Sequence, residues 1–394
     1  MSLNETPMAN RIYIGIFGRR NAGKSSIINA MTGQSLAIVS DVAGTTTDPV
    51  LKAMELLPLG PVVIIDTPGL DDVGELGMMR VQKAYQILNK TDIAVVVIDG
   101  SVGITAEDES IIARIKAKNI PYLIVKNKTD LYEESEEIGE NMISVSAATG
   151  KNIYELKEML GKLAPKEDES RKIISDILAP NDFVVLVVPI DSAAPKGRLI
   201  LPQQQTIRDV LEAGAAAIVT RDNELKDTLQ KLGTKPRLVI TDSQVFGKVK
   251  KIVPEDVELT SFSILMARYK GDLEANVHGA RALETLKDGD KILISEGCTH
   301  HRQCEDIGTV KMPRWIQEYT GKQLEFQFTS GTEFPLDLSE YALIVHCGGC
   351  TLNEREMKYR LKCAEDQQIP MTNYGICIAY MNHILERSVQ PLNI

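Results

Sequence analysis

The run Arg11-Ile-Tyr-Ile-Gly-Ile-Phe17 leads directly into Gly18-Arg-Arg-Asn-Ala-Gly23-Lys24-Ser25, followed by Ser26-Ile-Ile-Asn-Ala-Met-Thr32. An apolar β-type run, a full match to G-x-x-x-x-G-K-[ST] and a helix-forming segment therefore stand in the order that a phosphate-binding loop requires. The glycines let successive backbone N–H groups turn inward around a β-phosphate. Lys24 bridges the β- and γ-phosphates, and the Ser25 hydroxyl ligates Mg²⁺. The loop contacts expected on this reading are Gly18, Asn21, Ala22, Gly23, Lys24, Ser25 and Ser26. A glycine-rich turn that binds nothing is the bland alternative, and the strand-to-helix context weighs against it.

Working outward, residues 11–163 alternate short β-branched runs with segments of helical period. This is the pattern of an α/β domain on a mainly parallel sheet. Ala164–Arg171 is charged, contains proline and lacks apolar periodicity, so it reads as a linker. Two further alternating series follow, with a soft boundary near Ser263. The expectation is three consecutive α/β domains over residues 8–166, 172–264 and 265–394, with the stretch from Ser263 onward helical up to the strand Lys291-Ile-Leu-Ile-Ser295.

Three later motifs each close a predicted strand. Asp66-Thr-Pro-Gly69 can hold the Mg²⁺ water shell through its carboxylate and meet a γ-phosphate through the Gly69 N–H. Asn127-Lys128-Thr129-Asp130 and Ser146-Ala147-Ala148 resemble the guanine-reading elements of GTPases. There an Asp carboxylate, here Asp130, accepts both guanine N–H groups, Asn127 and Lys128 brace the loop, and the Ala147 N–H approaches O6. Adenine would present an acceptor to that carboxylate, so the set favours GTP over ATP.

Asp41-Val-Ala-Gly-Thr45-Thr46-Thr47-Asp48 could be a solvated turn. In this order it resembles the first switch loop of the TrmE-Era group of GTPases, with Thr46 preferred over Thr45 and Thr47 as the Mg²⁺ and γ-phosphate contact. Leu70 stands where Ras-like enzymes carry a water-orienting Gln. Asn21 resembles the asparagine by which cation-dependent members of the group hold K⁺. The resemblance implies slow hydrolysis stimulated by K⁺, with Lys24, Thr46 and Asn21 as the catalytic set.

Length and charge narrow the remaining choices. The chain has 394 residues and a net charge of −10, which disfavours a protein whose main task is gripping nucleic acid or an anionic membrane. No apolar run approaches the ~18 residues of a membrane span, and the N-terminus lacks a signal-peptide stretch, so a cytoplasmic protein is expected. All six cysteines follow residue 297. Cys298-Thr-His300 and His346-Cys347-Gly-Gly-Cys350 each follow a predicted strand, where a parallel sheet collects its ligands. Three thiolates and a histidine suit structural Zn²⁺, which spacing alone favours. They also suit a [4Fe-4S] cluster with a weaker fourth ligand, for which Glu305, His300 and His346 are the candidates. Cys363 and Cys377 read as core thiols, Cys304 is undecided, and His278, His301 and His383 have no evident partner.

The pairing of a TrmE-Era-like GTPase with C-x-H…H-C-x-x-C resembles the HydF family, the GTPase and scaffold proteins of [FeFe]-hydrogenase maturation, over all three segments. The resemblance implies that Cys298, Cys347 and Cys350 ligate a [4Fe-4S] cluster, reversing the preference for zinc. It further implies that residues 181–263 dimerise, and that a di-iron precursor made with two radical SAM maturases, HydE and HydG, is passed to apo-[FeFe]-hydrogenase. The stretch between the two cysteine groups is slightly short for that pattern and reads as a trimmed surface turn. A ribosome- or tRNA-associated GTPase of the same group with a structural zinc is the runner-up.

Overall fold

The computed structural model describes residues 6–33, 50–70, 81, 84–132, 141–165, 172–190, 199–297, 306–331, 333–349 and 352–393. The chain divides into two compact units, Met1–Glu167 and Asp168–Ile394.

In the first unit, β1 (Ile12–Phe17), β2 (Val50–Leu56), β3 (Gly60–Asp66), β4 (Ile93–Asp99), β5 (Tyr122–Asn127) and β6 (Met142–Ser144) form one sheet in the order β2-β3-β1-β4-β5-β6. All its pairings are parallel except β2 with β3. The central strands are near-continuous Val and Ile because both faces are covered. α1 (Lys24–Thr32) and α3 (Ile153–Leu163) bury Ile27, Ile28, Leu156 and Leu160 on one face, and α2 (Ala106–Ala117) buries Ile111, Ile112 and Ile115 on the other. The antiparallel edge strand β2 was not expected from the sequence. It is largely exposed and offers only a weak apolar pattern.

The second unit holds two four-stranded parallel sheets. β7 (Phe183–Val187), β8 (Ala216–Thr220), β9 (Leu238–Thr241) and β10 (Glu258–Ser261) run in the order β10-β9-β7-β8. β11 (Lys291–Glu296), β12 (Glu325–Ser330), β13 (Leu343–His346) and β14 (Met371–Asn373) run in the order β12-β11-β13-β14. The helices are α4 (Leu201–Glu212), α5 (Leu225–Leu232), α6 (Phe262–Lys270), α7 (Leu273–Ala280), α8 (Met312–Thr320), α9 (Glu354–Asp366), α10 (Tyr374–Met381) and α11 (Leu385–Val389), with one short turn of helix at Phe246–Val249.

The stretch expected to be helical after Ser263 is divided at Gly271, where α6 ends and Asp272 caps α7 through the Ala275 N–H. α10 explains why the two sheets share a unit. Its Ile376 and Ala379 pack into the core of the β7–β10 sheet, while Cys377 and Ile378 pack into that of the β11–β14 sheet. A helix buried on both sides reads as apolar all round, and Tyr374-Gly-Ile-Cys-Ile-Ala-Tyr-Met381 does so. Among the described residues, no helix is long and apolar enough to cross a membrane.

Candidate functional site

Two groups of residues gather at carboxyl ends of parallel strands, one in each unit, which is where open α/β sheets bind ligands.

The first lies beyond β1, β3, β5 and β6. After Phe17 the backbone takes positive φ at Gly18 (143°), Asn21 (59°) and Gly23 (93°). Space as well as φ demands glycine here: a Cβ on Gly18 would sit 2.2 Å from the Val97 carbonyl oxygen, and one on Gly23 2.2 Å from Asn127 Nδ2. Lys24 is buried, and its Nζ donates to the carbonyls of Gly18 and Arg19, both at 2.9 Å. Ser25 Oγ donates to Asp66 Oδ2 at 3.1 Å. Burial raises the Asp66 carboxyl above its ordinary value, against the opposing pull of Lys24 and of the Ser25 hydrogen bond. A hydroxyl and a carboxylate facing each other beside a buried ammonium form a donor set that fits a divalent cation and phosphate oxygens.

Asn127 ties the loops together. It is 2% exposed; its Nδ2 donates to the Ala22 carbonyl at 3.1 Å, and its Oδ1 accepts from the Ala147 N–H at 3.1 Å. Ser146 Oγ donates to Asp130 Oδ1 at 2.6 Å and accepts from the Thr149 N–H. Lys128 pairs with Asp99 at 2.5 Å. Burial would raise the Asp99 carboxyl, but hydrogen bonds from Lys128 and Ser101 hold it below its usual value. Asp130 and Asn21 are exposed, Ala22 is buried, Ser26 lies in the first turn of α1, and Gly69 precedes the buried Leu70. The Ala147 N–H, expected at guanine O6, is here engaged by Asn127. Thr46 lies outside the described residues.

The second group lies beyond β11 and β13, which are adjacent and parallel with Ser295 opposite His346. The Cys347 N–H donates to the Ser295 carbonyl at 2.9 Å, so the chain leaving β11 toward Cys298 starts beside Cys347. Cys347 Sγ accepts from the Gly297 N–H at 3.0 Å and the Gly349 N–H at 3.4 Å. Gly349 takes φ 59°, the curl expected of the Gly-Gly spacer. A sulfur already accepting two backbone N–H donors at a strand end is chemistry that fits a thiolate ligand.

Cys298, His300, Cys304, Glu305 and Cys350 lie outside the described residues. His346 does not: it is fully buried, with Nδ1 2.6 Å from the Cys347 carbonyl and Nε2 2.9 Å from Arg360 Nη1. Both ring nitrogens are therefore engaged within the fold, an arrangement its standing as a candidate ligand did not foresee. Cys377 is fully buried, its thiol pushed up to about 12 by burial, as a core thiol should be, whereas Cys363 on α9 is only half-buried at the edge of a core cluster. Nearby, the Tyr374 hydroxyl donates to Glu296 Oε1 at 3.3 Å, and burial raises its pKa. The sequence reading missed Arg360, Ser295, Gly297 and Glu356. Nothing in Glu354–Asp366 marks Arg360 as buried, since Glu356 and Arg360 at i,i+4 look like a solvated surface pair.

Comparison with known proteins places these groups. Residues 13–128 match the family of 50S ribosome-binding GTPases. The chain is 35% identical over 167 residues to the tRNA modification GTPase MnmE of Laribacter hongkongensis, covering 40% of this chain and 36% of that protein. It is 33% identical over 156 residues to MnmE of Nitrosomonas eutropha, covering 38% and 34%. The chain thus spans little more than a third of the length of these relatives. A solved structure of an Aquifex aeolicus Era variant bound to GDP.AlF4- aligns with 53% of this chain and 92% of its own, at 21% identity and TM-score 0.36. Residues 173–271 match the hydrogen maturase F dimerization domain, and residues 274–391, which include His346, Cys347 and Arg360, match the hydrogen maturase F tetramerization domain. With both of these domains following a GTPase domain, the chain belongs to the hydrogen maturase F (HydF) family.

Proposed function

We propose that the chain is a GTP-hydrolysing scaffold of [FeFe]-hydrogenase maturation. On this reading it holds a [4Fe-4S] cluster on Cys298, Cys347 and Cys350, and carries a di-iron precursor as cargo for apo-hydrogenase. The observation that carries it is the Cys347 loop, whose sulfur already accepts two backbone N–H bonds, one of them from Gly297, in a chain whose other unit is a GTPase domain.

In the nucleotide site, Gly18, Asn21, Ala22, Gly23, Lys24, Ser25 and Ser26 cradle the phosphates. Lys24 exchanges its two carbonyl partners for phosphate oxygens, and Ser25 and Thr46 hold Mg²⁺ with Asp66 behind its water shell. Gly69 meets the γ-phosphate. Asp130 reads guanine while Asn127, Lys128, Ser146 and Ala147 shape the loops around it. Asn21 holds K⁺, whose charge supports the transition state where Leu70 leaves no water-orienting side chain. The cluster supplies an iron site with a labile position, and the protein keeps its three thiolates placed. Glu305 and His300 remain the candidates for the fourth position, because His346 is engaged on both nitrogens. The chain self-associates through its second unit and meets HydE, HydG and apo-hydrogenase in the cytoplasm.

The likeness to MnmE covers 40% of this chain and 36% of that protein, so it supports the nucleotide chemistry and gives a tRNA role no separate support. Anaerobic purification with iron, sulfide and zinc analysis and EPR tests the reading. Iron and sulfide near four per chain are expected, whereas a colourless protein with stoichiometric zinc would end it. Cys298→Ala should abolish the cluster and hydrogenase activation while GTP hydrolysis persists.

A further inference from the structure

Arg360 is fully buried in the middle of α9, and its guanidinium reaches the ends of three strands. Nη1 donates to His346 Nε2 at 2.9 Å and to Ser295 Oγ at 3.3 Å, Nη2 donates to the Gly331 carbonyl at 2.8 Å, and Nε donates to Glu356 Oε1 at 2.9 Å. Ser295 lies in β11, Gly331 follows β12 and His346 ends β13, so one planar group spans the carboxyl edge of three adjacent strands. Thr329 Oγ1 donates onward to Ser295 Oγ at 3.0 Å, the Phe334 ring lies 5.1 Å from the guanidinium carbon, and Glu356 compensates the buried charge. A lysine could not reach acceptors in so many fixed directions at once.

The chemistry of the fork has a consequence one residue further on. A guanidinium carries donors only, so the His346 Nε2 that it meets must be an acceptor. The imidazole proton then sits on Nδ1, which donates to the Cys347 carbonyl at 2.6 Å. Resting on the reading of Cys347 as a cluster ligand, we propose that Arg360 is a positioning residue. It locks His346 in the neutral Nδ1–H tautomer, so that this histidine braces the Cys347 loop through its N–H and is withheld from the iron. In metal sites the residue behind a histidine commonly orients it as a ligand. Here the same device orients the backbone of a thiolate ligand instead.

The two faces of His346 can be removed separately. His346→Asn puts an amide N–H close to the place of Nδ1 and keeps the donor to Cys347. His346→Gln puts an amide oxygen close to the place of Nε2 and keeps the acceptor for Arg360 while losing that donor. The full chain, reconstituted anaerobically, is assayed for iron per chain, for the EPR spectrum of the reduced cluster and for midpoint potential. The wild type is measured first, and a wild type without iron sinks the cluster reading and this proposal with it. With iron present, His346→Asn should match the wild type in all three. His346→Gln should keep its iron but shift the reduced-to-oxidised ratio at fixed potential about tenfold, ~59 mV for a one-electron couple. Arg360→Met should shift it likewise, and Arg360→Lys should recover part of the shift. Equal behaviour of the two histidine variants, both wild-type-like or both stripped of iron, overturns the proposal. So does loss of a nitrogen hyperfine coupling in His346→Asn, which would make His346 a ligand.

Discussion

Asn127→Ala should disconnect the three loops of the nucleotide site while leaving the sheet beneath them intact. The side chain is 2% exposed and contributes two hydrogen bonds of 3.1 Å, one to the Ala22 carbonyl after β1 and one from the Ala147 N–H after β6. Each such bond is worth about 1 kcal/mol net, and the buried partner left unpaired adds to the loss, so ~2–3 kcal/mol of loop organisation disappears. If nucleotide binding must restore that order, affinity falls by ~30- to 150-fold at 1.4 kcal/mol per factor of ten. Titration of the full chain with N-methylanthraniloyl GDP measures it, with circular dichroism to show that the variant is folded. Gly23→Ala provides the internal control. Its new Cβ would lie 2.2 Å from Asn127 Nδ2, at φ 93°, so it strikes the same contact from the other side. The double variant should therefore lose much less than the sum of the two. A folded Asn127→Ala chain that binds the nucleotide within about threefold of wild type, or strictly additive losses, would refute the reasoning.

Three other outcomes follow from the same geometry. Hydrolysis should run faster in K⁺ than in Na⁺ at equal ionic strength and lose that preference in Asn21→Ala; equal wild-type rates in the two salts would remove Asn21 from the proposed role. Because burial raises Asp66 above its unfolded value, folding takes up a proton there, so its ionisation costs stability as pH rises beyond the usual carboxylate range. Asp66→Asn should then raise the melting temperature of the nucleotide-free chain at about pH 7 while abolishing Mg²⁺-dependent hydrolysis, and an unchanged melting temperature would count against the burial argument. The Cys377 thiol, pushed up to about 12, should resist iodoacetamide in the folded chain at about pH 8 and react freely in urea; rapid labelling of the native protein would contradict its burial.

How far the sequence could be read follows from what each residue answers to. The nucleotide site was legible because phosphate chemistry fixes residue type and spacing within a short stretch, and Gly18, Lys24, Ser25 and Asp66 appear together where the loop pattern requires. Strands β1, β3, β4 and β5 were legible because burial on both faces leaves unbroken Val and Ile runs. β2 was not, since an exposed edge strand imposes little pattern, and the break between α6 and α7 turns on Gly271, one residue within an otherwise helical period. The Cys347 loop was legible as a metal-type spacing, but its support was not. Arg360, Glu356 and Ser295 reach it from 13, 9 and 52 positions away and carry no spacing rule of their own, so only the folded chain shows that an i,i+4 pair on α9 faces inward.

The same residue type serves opposite ends within this unit, and the environment decides which. Cys377 sits on a helix that both sheets cover, where burial disfavours the thiolate and leaves a small packing group. Cys347 stands where a strand has just ended, and there the backbone still has N–H groups to give. Two of them reach its sulfur, a carbonyl of the neighbouring strand takes its own N–H, and a buried histidine takes its carbonyl. Hydrogen bonds to the charged form favour that form, so the two N–H donors at this sulfur suit the thiolate that the proposed cluster would need. That arrangement needs a rigid floor, because a strand end with unpaired acceptors would fray. The guanidinium beneath β11, β12 and β13 supplies the floor at the cost of burying a charge, a cost that Glu356 and three further acceptors offset. A site that only stapled the fold would gain little from such an investment in one sulfur's surroundings. A site that must present thiolates in a fixed geometry while its remaining position stays labile has reason to fix the ligands from behind.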